Sequence, residues 1–184
     1  MENVVGVFGS AQGKISKDSI AKARLLGHAI ADNNCVLVTG ACPGLPSEVA
    51  KAAREKSGSV IGISPANNRK EHVEKYGYPV ENFDFIAFTG FGYKGRNVVT
   101  VRSCDIAVFI AGGIGTLNEF TIAYDEGKRI GVLTGTGGIS DMIKDVVKKF
   151  AENKKAGASV FYDSDPESLV HKLTDGVNAK KWPI

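Results

Sequence analysis

The residues Ala111-Gly112-Gly113-Ile114-Gly115-Thr116-Leu117-Asn118-Glu119 carry the clearest chemistry in the chain. They follow an apolar, β-branched run, Ile106 to Ile110, of the length of a buried strand, and lead through three glycines into a helical pattern. The first N–H groups of a helix have no intrahelical acceptor and lie at the positive end of its dipole. A junction of strand, glycine loop and helix can therefore hold a phosphate or another anion. Gly112, Gly113 and Gly115 let such a ligand approach the backbone closely. Thr116 and Glu119 stand at the spacing of a capping box, in which the threonine accepts from the helix and the glutamate reaches back to the cap. On spacing alone, Glu119 is either a cap or a catalytic carboxylate.

Two more glycine-bearing loops follow predicted strands. Residues 4–8 run into Gly9-Ser10-Ala11-Gln12-Gly13-Lys14, and residues 35–40 run into Ala41-Cys42-Pro43-Gly44-Leu45-Pro46. The first loop nearly spells two phosphate motifs and fits neither. A Walker A loop needs glycine where Phe8 stands and serine or threonine where Ile15 stands. A dinucleotide fingerprint needs GxGxxG and an acidic residue ending the second strand, whereas here the glycines are Gly6, Gly9 and Gly13 and that strand ends in Thr39. A conventional NAD site is not expected. Gly40 and Gly44 alone read as turn geometry. The repetition of glycine-rich strand ends points to a ligand, because a parallel sheet brings its strand C-termini to one edge, where ligands bind.

The elements that position these loops alternate regularly. Strands are predicted at 4–8, 35–40, 59–64, 85–90, 106–110, 129–135 and 158–162. The first helix, 16–33, has Ser16 as N-cap and turns Ile20, Ala23, Leu26, Gly27 and Ile30 inward. A second helix spans 47–56, and a later one carries Arg96 in its first turn with Val98, Val99 and Val101 toward the core. The helix at 116–126 ends at Gly127, and an amphipathic helix follows with Ile143, Val146, Val147 and Phe150 inward. The last begins with Asp165 as cap and Pro166 as first helical residue. The polar connection 65–84 has the length of a functional loop or lid, and its Tyr76 and Tyr78 suit either ligand stacking or packing. The tail holds the single tryptophan, Trp182. With no repeat or linker, residues 1–184 are expected to form one α/β domain on a doubly wound, mostly parallel sheet.

Composition narrows the classes. A chain of 184 residues with 43% hydrophobic and 23% charged residues buries a core without disulfides or a structural metal. Its apolar runs are too short to span a bilayer and its N-terminus lacks a secretory pattern, so the cytoplasm is the expected location. Cys35, Cys42 and Cys104 are odd in number and lack CxxC spacing, which suggests reduced thiols. His28, His72 and His171 show no metal-ligand spacing. A net charge of +3 without a basic block argues against nucleic acid as the main partner.

With these residues laid out, the chain resembles the Lonely Guy family of nucleoside 5′-monophosphate phosphoribohydrolases. That family lies in a Rossmann-like group that also includes molybdenum-cofactor carrier proteins. Its PGGxGTxxE falls on Ala111 to Glu119, its GGGxxGLMG on Thr39 to Ser47, its GSS-type loop on Gly9-Ser10-Ala11, and its Arg-Lys pair on Arg96-Asn97. Ala111 replaces the proline, Asn97 the lysine, and Pro46-Ser47 the Met-Gly. The resemblance implies hydrolysis of the N-glycosidic bond of a purine nucleoside monophosphate, with Glu119 and Arg96 catalytic. It also implies phosphate or nucleotide contacts from Gly9, Ser10, Gly40, Gly44, Gly112, Gly113, Gly115 and Thr116, no metal or cofactor, and a homodimer. The missing lysine brings the chain closer to the carrier branch. The alternative expectation is thus a non-catalytic carrier or sensor of a nucleotide or pterin-type phosphate, with Glu119 only capping its helix. A lysine decarboxylase reading, which needs a pyridoxal-phosphate lysine, has no support in these residues. A DNA-processing role follows from fold analogy alone.

Overall fold

A computed structural model describes residues 2–150 and 158–175. The elements run β1 (Val4–Gly9), α1 (Lys17–Asp32), β2 (Val36–Thr39), α2 (Leu45–Glu55), β3 (Val60–Ser64), α3 (Arg69–Glu74), β4 (Phe85–Phe88) and α4 (Gly92–Arg102). They continue as β5 (Ile106–Ile110), α5 (Ile114–Asp125), β6 (Arg129–Leu133), a 3₁₀ turn (Gly138–Asp141), α6 (Ile143–Phe150), β7 (Ser159–Asp163) and α7 (Pro166–Thr174). The seven strands form one sheet in the order β4-β3-β2-β1-β5-β6-β7, and every pairing is parallel. Winding outward from β1 in both directions opens a crevice at the C-terminal ends of β1 and β5, the switch point where such sheets bind ligands.

Helices cover both faces, which is why β5 is buried at every residue. Ile106, Val108 and Ile110 face a core shared with Leu26, Ile30, Leu45, Val49, Leu169 and Leu173 from α1, α2 and α7. Ala107 and Phe109 face the other core, with Val101, Phe120, Ile130 and Ile143. Phe109 stacks on Phe8 with centroids 5.3 Å apart and meets Phe120 edge to face at 5.5 Å.

The structure departs from the sequence-based expectations where tertiary contacts override local pattern. α2 starts at Leu45, not residue 47, because Pro46 suits the first turn. The 65–84 connection contains α3, capped by Asn68, whose side chain accepts from the Glu71 N–H. Val98 and Val99 are only half-buried, and the inward face of α4 carries Arg96, Asn97, Thr100 and Val101 instead. Arg96 sits in the second turn rather than the first. Phe150 is 75% exposed at the end of α6, leaving Ile143 as that helix's buried anchor. The three cysteines are free and buried. No helix among the described residues is long and apolar enough to cross a membrane. Trp182 and its tail lie outside the described residues.

Phe109→Ala should cost about 3–5 kcal/mol in urea unfolding, because it removes the ring shared by both aromatic contacts at the sheet centre.

Candidate functional site

The glycine loop after β5 is held in an uncommon backbone conformation by four neighbours. Ala111 adopts φ 50° and Gly112 φ 88°. The Ala111 N–H donates to Thr136 Oγ1 at 2.9 Å, and its carbonyl accepts from Ser140 Oγ at 2.9 Å and from the Ser140 N–H at 3.1 Å. The Gly112 N–H donates to Ser10 Oγ at 3.0 Å, and its carbonyl accepts from the Ile139 N–H at 2.9 Å. Thr136 is itself fixed, its hydroxyl donating to the Leu133 carbonyl and its own carbonyl accepting from Ser19 Oγ. A left-handed alanine costs roughly 1–2 kcal/mol, which these bonds offset. Proline cannot take that φ and has no N–H for Thr136, so this conformation excludes proline at position 111.

Beyond the paired residues the backbone opens. Gly113 is the N-cap of α5 and makes no side-chain cap bond. The N–H groups of Gly113, Ile114, Gly115 and Thr116 find no acceptor among the described residues. A Cβ at Gly113 or Gly115 would meet nothing within 4 Å, so packing does not require glycine there. Thr116 is a residue inside the helix, buried against Gly112, and not its cap. The capping box is therefore not formed, and Glu119 is released from that role.

Glu119 lies on the next turn of α5, 8% exposed. The Asn97 amide lies between Glu119 Oε1 at 3.0 Å and the Tyr93 carbonyl at 2.9 Å on one side and Asn118 Oδ1 at 2.9 Å on the other; with its nitrogen turned to the first two it donates to both, and the Asn118 amide must turn to donate in return. Two acceptors on one side of Asn97 require its nitrogen there. Burial pushes the Glu119 carboxyl up to about 7, against the opposing pull of Arg96 and Lys94. Arg96 is 7% exposed and its guanidinium packs against Gly40, where a Cβ would come 1.7 Å from Nη1. Its Nε is buried without a partner, and no bond from its guanidinium reaches an acceptor among the described residues. Cys42 is buried nearby, its thiol pushed up to about 11 by burial.

The remaining sequence-predicted residues tie the loops together. Ser10 accepts at its carbonyl from the Leu45 N–H and at its hydroxyl from Gly112, joining all three glycine loops. Gly44 packs on the Ser10 carbonyl, and Gly9 packs on the Ile110 carbonyl. Gly9, Ser10, Gly44 and Gly112 thus form the frame; Gly113, Gly115 and Thr116 present N–H groups; Gly40, Arg96 and Glu119 stand beside them. Thr136, Ser140 and Asn97 were not singled out as site residues by sequence. The small hydroxyl residues inside Gly135-Thr136-Gly137-Gly138-Ile139-Ser140, a fourth glycine-rich strand end, were the available signal for the first two. A cavity of about 490 Å³ opens between α1, α2 and residues 73–79, but its only carboxylate, Glu48, already lies 3.5 Å from Arg24. It holds no unpaired charge comparable to Arg96.

A doubly wound parallel sheet with its polar loops gathered at the β1–β5 switch point defines a Rossmann-like α/β protein. Residues 2–170 match the SLOG cluster4 family, and the chain belongs to it. That assignment is coarser than the Lonely Guy resemblance. An uncharacterized protein of Archaeoglobus fulgidus is 33% identical over 129 residues, 70% of this chain and 78% of that one. The solved structure of TM1055 is 26% identical with a TM-score of 0.80, covering 94% of this chain and 98% of that chain. The molybdenum cofactor binding protein of the phototrophic bacterium Rippkaea orientalis is 25% identical with a TM-score of 0.76, over 94% and 96%. DNA processing protein A of Streptococcus pneumoniae shares the fold alone, at 16% identity and a TM-score of 0.67, over 94% and 62%.

Two outcomes check this geometry. Thr136→Val leaves the buried Ala111 N–H unpaired and should cost about 1–3 kcal/mol in urea unfolding, whereas Thr136→Ser restores most of it. Glu119 titrates near 7 when folded against an ordinary 4.5, so its contribution to stability is complete below pH 4.5 and is lost as pH rises through 7. The melting temperature of Glu119→Gln should lack that decline, worth roughly 3 kcal/mol at most.

Proposed function

We propose that this protein binds a phosphorylated small molecule of nucleotide or pterin type and acts as its carrier or sensor. The observation that carries the reading is the row of unpaired N–H groups from Gly113 to Thr116 at the start of α5, the first three on exposed residues, with the unpartnered Arg96 guanidinium on the same edge of the sheet. A phosphate accepts from the N–H row, and the planar guanidinium takes a second set of ligand oxygens. The likeness to a molybdenum cofactor binding protein supports a carrier, as does Asn97, a neutral residue, beside Arg96.

Glu119 favours a second reading, hydrolysis of a nucleoside 5′-monophosphate to free base and ribose 5-phosphate. It is buried and does not cap its helix, and a carboxylate beside a bound ribose would offset the positive charge that builds as the glycosidic bond breaks. The ionised form is the useful one, so turnover in this reading rises as pH passes through 7. The homodimer implied by the resemblance belongs to either reading.

The test incubates the protein with nucleoside 5′-monophosphates, molybdenum cofactor and a single-stranded DNA oligonucleotide, following melting temperature and released base together. The carrier reading expects a thermal shift from a phosphorylated small molecule and no base. Base release that falls at least a hundredfold in Glu119→Gln would establish the hydrolase instead. A shift with DNA alone would overturn both.

A further inference from the structure

A wall of aromatic side chains stands on the same edge of the sheet as the charged pair. Tyr93, in the first turn of α4, is 52% exposed, and its ring meets Tyr76 edge to face with centroids 5.3 Å apart. Tyr76 lies 5.7 Å from Tyr78, which is buried and meets His72 edge to face at 5.5 Å. His72 is fully buried and pins the segment: Nδ1 bonds the Ser64 hydroxyl at 2.8 Å, and Nε2 donates to the Pro79 carbonyl at 2.9 Å. Residues 72–79 are therefore tied to the end of β3, and the wall is preformed.

Its place relative to the charges follows from shared partners. The Tyr78 hydroxyl senses Cys42, Tyr93 and Arg96, and burial raises its pKa well above the usual tyrosine range. The Tyr93 carbonyl shares the Asn97 amide with Glu119. Going along the edge, the open N–H row belongs to the loop after β5, Arg96 rests on Gly40 after β2, and the tyrosines pack over the end of β3. The Tyr93 ring is braced edge to face by Tyr76 and half exposed, which is the form of a stacking platform rather than of a core residue.

We propose that Tyr93, backed by Tyr76, is a shelf on which a planar heteroaromatic ring of the ligand stacks while its phosphate occupies the start of α5. The inference rests on the phosphate reading above and adds a selectivity: ringed phosphates, such as purine nucleotides or pterin phosphates, are held in preference to plain sugar phosphates. Stacking of one base on an aromatic side chain is worth roughly 5- to 100-fold in affinity. Because any ring offers a π-face, the shelf selects for flatness and leaves the identity of the base to other contacts.

Calorimetric titration of the wild-type protein, Tyr93→Ala and Tyr93→Phe with guanosine 5′-monophosphate, ribose 5-phosphate and guanosine tests this. The wild type should bind the nucleotide at least about fivefold more tightly than ribose 5-phosphate, Tyr93→Ala should lose that advantage, and Tyr93→Phe should keep it. Equal wild-type affinities for nucleotide and sugar phosphate would overturn the shelf, as would a Tyr93→Ala loss that weakens both alike. Guanosine bound through Tyr93 without any gain from the phosphate would retain the shelf and overturn the phosphate reading. Absence of binding by all three would overturn both.

Discussion

The left-handed turn at Ala111 and Gly112 is the constraint on which the rest of the edge depends. A buried backbone in that conformation survives only when its polar groups are paired, and here each amide and carbonyl of the two residues has a partner from one of two distant segments. Ser10 comes from the end of β1, Thr136 and Ser140 from the segment after β6, and Ser19 from α1 behind Thr136. The effect is to concentrate satisfaction in two residues and leave the next four N–H groups with none. A loop with its own flexible hydrogen bonds would have to break them to receive an anion; this one carries no such cost.

The charges beside it obey a related economy. Arg96 and Glu119 are both nearly enclosed, and the two form no direct salt bridge: one lies on glycine backbone, the other against an amide. Desolvation raises the Glu119 pKa, so near neutrality the enclosed pair carries net positive charge part of the time. An incoming anion would meet an arginine that has no protein partner to give up, and a carboxyl able to discharge itself by taking a proton. A negative charge brought close to this pair would favour the protonated form of Glu119.

Much of this was legible in the residues. The β-branched run 106–110 and the glycines after it defined a buried strand and a helix start, and the strand–helix alternation led to the parallel sheet. Ser16 caps α1 as its position suggested. What escaped the pattern was settled by contacts between distant segments. The spacing of Thr116 and Glu119 reads as a capping box, yet the helix begins two residues earlier, so the same spacing lies inside it. Val98 and Val99 looked like the inner face of α4, but that face meets polar loops at the ligand edge and takes Arg96 and Asn97 instead. Thr136 and Ser140 are 25 and 29 residues beyond their Ala111 partner, a pairing that no local motif encodes.

The φ of 50° at Ala111 also bears on how this loop can change over evolutionary time. A proline at that position demands a negative φ and donates nothing, so it is compatible only with a loop in which Thr136 has found another partner. An alanine here and a hydroxyl at 136 consequently form an epistatic pair: either change alone passes through a strained, unpaired intermediate.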